Sequence, residues 1–140
     1  MKKITLLITT SIFLVLLITS CSKDDDNNSS SSFNPPNWIL GTWLDENDSN
    51  WSQIGGFKFT NNSIIDLNID GSEIINYGKS LKTGLKSGLI KVEEITTDDT
   101  YHVKVTTSGV NTLNYKYSKG SANTIFYELN TTYTIELTKQ

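Results

Sequence analysis

The sequence predicts an all-β domain: an antiparallel up-and-down barrel of about eight strands, with a β-sandwich as the alternative. Three observations predict it. From Trp38 onward apolar and polar residues alternate in short runs, the period of a half-buried strand. Turn residues such as Asn61-Asn62, Asp70-Gly71 and Ser108-Gly109 separate those runs. No proline follows Pro36, so no residue of that stretch lacks the N–H that a hydrogen-bonded ladder requires.

Trp38–Leu44 is the first expected strand, followed by a polar loop over Asp45–Asn50. Gly56–Thr60 puts Phe57 and Phe59 on one face and Lys58 on the other, and Asn61-Asn62 turns it into Ser63–Asp70. There the alternation sends Ile65, Leu67 and Ile69 one way, and Asp66, Asn68 and Asp70 the other, onto a polar outer face. Asp70-Gly71 is a strong hairpin signal leading to Glu73–Tyr77. Gly78–Gly88 reads as a loop, although Leu81, Leu85, Leu89 and Val92 also fall near helical spacing. Gly84 and Gly88 would each cost a helix about 1 kcal/mol, which favours loop.

Leu89–Thr96, Thr100–Thr107, Val110–Tyr117, Thr124–Leu129 and Thr132–Thr138 complete the set. Three faces stand out: Tyr101, Val103 and Val105; Leu113, Tyr115 and Tyr117; and Tyr133, Ile135 and Leu137. Tight turns between consecutive strands require antiparallel pairing.

Ahead of this domain, Lys2 and Lys3 lead an uncharged, mostly apolar run over Ile4–Ile18. The run is short for a spanning helix, which wants roughly 20 apolar residues. Residues 1–20 read instead as a signal peptide. Ile18-Thr19-Ser20-Cys21 resembles the lipobox of bacterial lipoproteins. The resemblance implies cleavage before Cys21, diacylglycerol on its thiol, and usually a third, palmitate-type chain on the new amine. Two or more chains anchor stably, since each buried methylene contributes about 0.8 kcal/mol. Cys21 is the only cysteine, so the domain has no disulfide.

Ser22 follows, and then Lys23-Asp24-Asp25-Asp26, an acidic run similar to a surface-export signal of Gram-negative lipoproteins. It implies the outer membrane, facing the cell surface, with the periplasmic face as alternative. Residues 21–37 form the lipidated cysteine and a disordered tether, too polar to repay its ordering entropy. About 16 such residues span roughly 20–25 Å. Pro35 and Pro36 mark the boundary with the domain, 38–140.

The chain has 12 Lys+Arg against 15 Asp+Glu, and losing Lys2 and Lys3 leaves ten against fifteen. That acidic balance argues against a nucleic-acid partner, which wants a basic stripe. None of the basic residues is arginine, which excludes bidentate guanidinium recognition of carboxylate or phosphate. The membrane, reached through lipid on Cys21, is the expected partner of a monomer.

Leu40-Gly41-Thr42-Trp43 resembles the Gly-x-Trp motif that opens lipocalins and their bacterial lipoprotein relatives, and Phe57-Lys58-Phe59-Thr60-Asn61-Asn62-Ser63 is similar to their second strand and turn. The likeness covers the first quarter of the domain. It implies a lipocalin-like barrel whose closed end is plugged by Trp43, with Gly41 allowing close packing. A tryptophan on the first strand also suits an apolar wedge with one N–H to satisfy. Lipocalins stack a late-strand arginine on that ring. Here only Lys116 or Lys139 could substitute, and weakly.

Chemical constellations are sparse. Asp66-Leu67-Asn68-Ile69-Asp70-Gly71 matches the first half of an EF-hand loop, but Glu73 and Tyr77 stand where an aliphatic residue and the bidentate acid belong. Asp45-Glu46-Asn47-Asp48 with Asn50 reads as a solvated loop. His102, the only histidine, lies opposite Val103 and Val105 with no partner for a triad or zinc site. Glu93-Glu94 and Asp98-Asp99 are adjacent pairs, which point to opposite faces of a strand. No catalytic residue, metal or cofactor is expected.

Tyr101, Tyr115, Tyr117, Tyr127 and Tyr133 crowd the last four strands. They either line a ligand pocket or pack a core. Tyr101, Tyr115, Tyr117 and Tyr133, with Trp51 beside the polar loop, are the candidate ligand-binding residues. The expected function is a surface-anchored, non-enzymatic binding protein for a small apolar or amphipathic ligand. The alternative is an interaction module with a filled barrel that binds a glycan or a partner protein.

Overall fold

In the computed structural model, which describes residues 33–47, 53–129 and 131–140 (backbone only for Asn111 and Thr112), nine strands form. They are β1 (Gly41–Leu44), β2 (Gly56–Thr60), β3 (Ser63–Leu67), β4 (Glu73–Asn76), β5 (Ile90–Thr96), β6 (Thr100–Thr107), β7 (Val110–Lys119), β8 (Thr124–Glu128) and β9 (Thr134–Lys139). The signal peptide, Cys21 and Trp51 lie outside the described residues.

All pairings are antiparallel, in the order β4-β3-β2-β1-β9-β8-β7-β6-β5. This is up-and-down barrel order, with β1 beside β9, but the ring stays open between the edge strands β4 and β5. The sheet therefore curls into a half-barrel. Nine strands stand where about eight are expected.

The expected loop between β4 and β5 contains two one-turn helices, α1 (Tyr77–Ser80) and α2 (Lys82–Lys86). Asn76 caps α1, its side-chain oxygen accepting from the Lys79 N–H at 3.1 Å. Gly84 sits inside α2, and a Cβ there would lie 2.3 Å from the Ile90 side chain. Close packing on β5 thus offsets its poor helix propensity.

The β6 alternation holds as read: Tyr101, Val103 and Val105 are buried while Lys104 is exposed. β3 departs from it. Phe57 pairs with Asp66 and Phe59 with Ile64, so Ile64 and Asp66 share the inner face with the two phenylalanines. Asp66 is 3 % exposed, not solvated on an outer face. Ile65 pairs with Lys58 on the other face and is nevertheless buried, as is every residue of β3. Ile69 lies beyond the strand and is exposed.

The folded part begins before Trp38. Phe33 is 1 % exposed within the core cluster, and Pro35 is buried. The Asn34 N–H donates to both oxygens of Glu94 on β5, at 2.9 and 3.0 Å. Asn37–Ile39 then forms a 3-10 turn rather than the start of a strand. So 33–37 is not tether: one buried ring and one charge-assisted clamp offset its ordering cost. Replacing Phe33 with Ala should lower unfolding free energy by about 3 kcal/mol or more, read by urea denaturation. A loss below about 0.5 kcal/mol would contradict a buried Phe33.

Candidate functional site

The inner face divides into a closed aromatic end and a more open aliphatic side. At the closed end Trp43 pairs across the sheet with Phe57 on one side and Lys139 on the other. Its indole N–H donates to the Ile39 carbonyl at 2.6 Å, which satisfies the one polar atom of the wedge. Lys139 Nζ sits 5.1 Å from the Trp43 ring centre, a cation–π contact worth about 0.5–1 kcal/mol at an exposed end. Gly41 takes φ +125°, and a Cβ there would meet Lys139 Cε at 3.1 Å. Lysine thus occupies the position over Trp43. It is Lys139; Lys116 pairs with Glu128 at 2.8 Å.

Next to Trp43 the rings close on one another. Phe57 lies 5.4, 5.3 and 4.9 Å from the rings of Tyr115, Tyr117 and Tyr127, all edge-on, and Phe59 lies 5.0 Å from Tyr117. Such edge-to-face pairs add about 0.5–1.5 kcal/mol beyond area burial. Tyr101 donates its hydroxyl to Glu94, the same carboxylate that holds Asn34.

Toward the gap between β4 and β5 the character changes. Asp66 Oδ2 accepts from Tyr115 Oη at 2.8 Å and from Tyr77 Oη at 2.9 Å, and the two hydroxyls are 3.1 Å apart. Two phenolic protons cannot serve all three contacts, so with Asp66 ionised both go to the carboxylate. Asp66 Oδ1 and the Tyr117 hydroxyl are buried and meet no hydrogen-bonding partner among the described residues. Leu81, Ile90, Val92 and Leu113 are only half-buried against the core. Val92 pairs with Val105 and Val105 with Leu113, which makes a continuous aliphatic wall on the inner face.

Burial pushes Asp66 above the ordinary 3.8, opposed by its hydrogen bonds from Tyr115 and Tyr77. Burial also raises the phenols of Tyr77, Tyr115 and Tyr117, with the Asp66 charge adding to it, and takes Tyr127 up to about 12. Among the described residues no ion pair reaches Asp66.

The expected site residues therefore separate. Tyr101, Tyr115 and Tyr117 come together on the inner face at 0, 8 and 0 % exposure. They pack as core, and Tyr115 alone of the three reaches Asp66. Tyr133 does not join them: it lies in the loop before β9, 64 % exposed, because the strand starts only at Thr134. Asp66 and Tyr77 are the members that sequence reasoning missed as a site.

Among the described residues no His, Cys, Asp or Glu side chains gather as a cation site. Asp70 accepts from the Ser72 N–H and hydroxyl at 2.9 and 2.6 Å, which pulls it below its usual range, while Asp66 faces inward. Gly71 takes φ +80° in the turn that results. His102 contacts Asn114 Oδ1 at 2.6 Å on the outer face. No protein-family model, curated protein or solved structure matches the chain.

The raised Asp66 has a definite sign in stability. A carboxyl with a higher folded than unfolded value favours the fold most at low pH and loses that contribution as pH rises through the folded value. Asp66→Asn, which keeps an acceptor for both tyrosines, should therefore gain on the parent as pH climbs from about 3.8 toward neutrality. Urea midpoints between pH 3 and 8 test this; a constant difference would contradict it. Tyr115→Phe should cost about 1–3 kcal/mol at any pH by removing a buried donor.

Proposed function

We propose that the protein is a lipid-anchored, non-enzymatic binding protein for a small amphipathic ligand, displayed on the outer membrane at the cell surface. The carrying observation is Asp66: a buried carboxylate whose Oδ1 meets no donor among the described residues, held through Oδ2 by Tyr115, two residues along β7 from the half-buried Leu113 of the aliphatic wall. Small-molecule sites combine apolar walls with a few convergent polar groups in this way. The break between β4 and β5 is covered by α1, α2 and the Phe33–Pro36 stretch and not by a ladder of hydrogen bonds, so entry there would part no strand pair. Tyr77, at the start of α1, stands over the carboxylate.

The anchor rests on the lipobox-like Ile18-Thr19-Ser20-Cys21 and the display on the acidic Lys23-Asp24-Asp25-Asp26. The Gly41, Trp43 and Lys139 arrangement supports the lipocalin-like resemblance, with lysine taking the place of arginine.

A second reading, an interaction module, is favoured by one observation. Ile69, Leu89, Val110, Leu129 and Tyr133 are exposed at 65, 59, 66, 38 and 64 %, and the strand registers put all five at the end away from Gly41. Apolar tips gathered at one end of the sheet, unlike singly scattered ones, suit a partner surface.

Native mass spectrometry of the protein purified from its own cell envelope discriminates the two. A reproducible added mass, lost in a variant with Leu113 and Val92 changed to Asp, is the expected result. A bare protein throughout would favour the interaction module. Separately, Cys21→Ser should move the protein from the membrane fraction to the soluble fraction, and undiminished membrane association would contradict the lipid anchor.

A further inference from the structure

We infer that the polar head recognised inside the half-barrel is an ammonium group, seated on Asp66 Oδ1, and that its ligand carries a short alkyl or aryl tail along the Leu113–Val92 wall. This inference rests on the small-ligand reading given above and narrows it to cationic amphiphiles.

What the carboxylate can still accept decides the head group. An ionised carboxylate only accepts, and Oδ2 already takes two phenolic hydrogens from Tyr77 and Tyr115. Oδ1 is buried and meets no donor among the described residues. A ligand that completes it must therefore donate. A carboxylate or phosphate head brings only lone pairs and negative charge to an already acidic interior.

Among donors, an ammonium outcompetes a hydroxyl for three reasons. Either donor makes a charge-assisted bond to an ionised carboxylate, but only the ammonium adds the attraction of its own full charge in a low-dielectric interior. No lysine is paired with Asp66, so its charge has no protein counterion among the described residues. The acidic chain, with 15 Asp+Glu against 12 Lys+Arg, raises the local concentration of cations further.

Tyr77 is the movable member. It belongs to a helix of four residues and is half-exposed, whereas Tyr115 is fixed in a ten-residue strand. Displacing Tyr77 opens Asp66 toward the gap without disturbing any strand pairing. The entering ammonium, with three protons to donate, then meets Oδ1 and also replaces the hydrogen bond that Tyr77 gives up at Oδ2. Tyr77→Phe should bind the same ligands at least as tightly, because the hydroxyl that competes for the carboxylate is gone.

Binding an ammonium favours the ionised form of Asp66, which burial disfavours, so any proton the free carboxyl still holds is lost on binding. The groups facing Asp66 are the phenols of Tyr77, Tyr115, Tyr117 and Tyr127, all raised well above neutrality or to about 12, so none of them is the source of that proton.

The test is isothermal titration of the full mature chain with hexylammonium chloride, hexanol and sodium hexanoate, between pH 5 and 7 in buffers of different ionisation enthalpy. Hexylammonium should bind about tenfold or more tighter than hexanol, with hexanoate weakest, and its heat should vary with the buffer as far as a proton is released. Asp66→Asn should level hexylammonium with hexanol. Should that variant fail to fold, the ranking of the three ligands on the parent decides alone. Saturable hexanol binding equal to or tighter than hexylammonium would overturn the ammonium assignment and leave the small-ligand reading standing. Absence of saturable binding by all three would overturn both, and would assign Asp66 a bracing role only.

Discussion

A carboxylate inside an apolar barrel is tolerated only if hydroxyls or charges reach it, and here the reach is long. Asp66 belongs to β3 and Tyr115 to β7, strands on facing walls of the curled sheet, yet their side chains meet at 2.8 Å across the interior. Removing either partner leaves a buried polar group unmet, at about 1–3 kcal/mol. The contact fixes how far the two walls stand apart. Phe57 can touch Tyr115, Tyr117 and Tyr127 at once only because that spacing is held.

The second constraint is the break in the ring. A fully closed barrel hides every edge, while an open one must cover two. This chain covers the region with what flanks the sheet in sequence. α1 and α2 run between β4 and β5, with Gly78 close against Ser63 and Gly84 against Ile90. The stretch from Phe33 to Pro36 packs into the core and hydrogen-bonds to Glu94 of β5. Neither device is a strand, so the edges are shielded without completing the ladder.

How much of this was legible follows from what each residue must satisfy. β6 was readable because its alternation has a polar side: Lys104 sits exposed between Val103 and Val105. β3 was not, because both its faces are buried, and Ile64 and Ile65 then give the pattern no phase. Only the pairing of Phe57 with Asp66 sets which side faces in, and pairing is not written in one strand. Gly41 and Trp43 were legible as a close approach and a wedge. That Lys139 rather than Lys116 would lie over the ring depended on β9 pairing with β1. The helices carried one signal that reading passed over, an asparagine at 76 able to cap the turn beginning at Tyr77. Tyr133 looked like a partner of Ile135 by parity alone, and parity ends where the strand does.

The attachment of Asn34 to Glu94 has a mechanical side. A pull applied toward the amino terminus does not load the ladder of β1 first. It meets two weak points in series: a backbone N–H shared between two carboxylate oxygens, and the Phe33 ring seated among apolar neighbours. Both can yield while the pairs of Trp43 with Phe57 and Lys139 stay closed. The segment thus behaves as a fuse, giving several residues of slack before tension reaches the sheet.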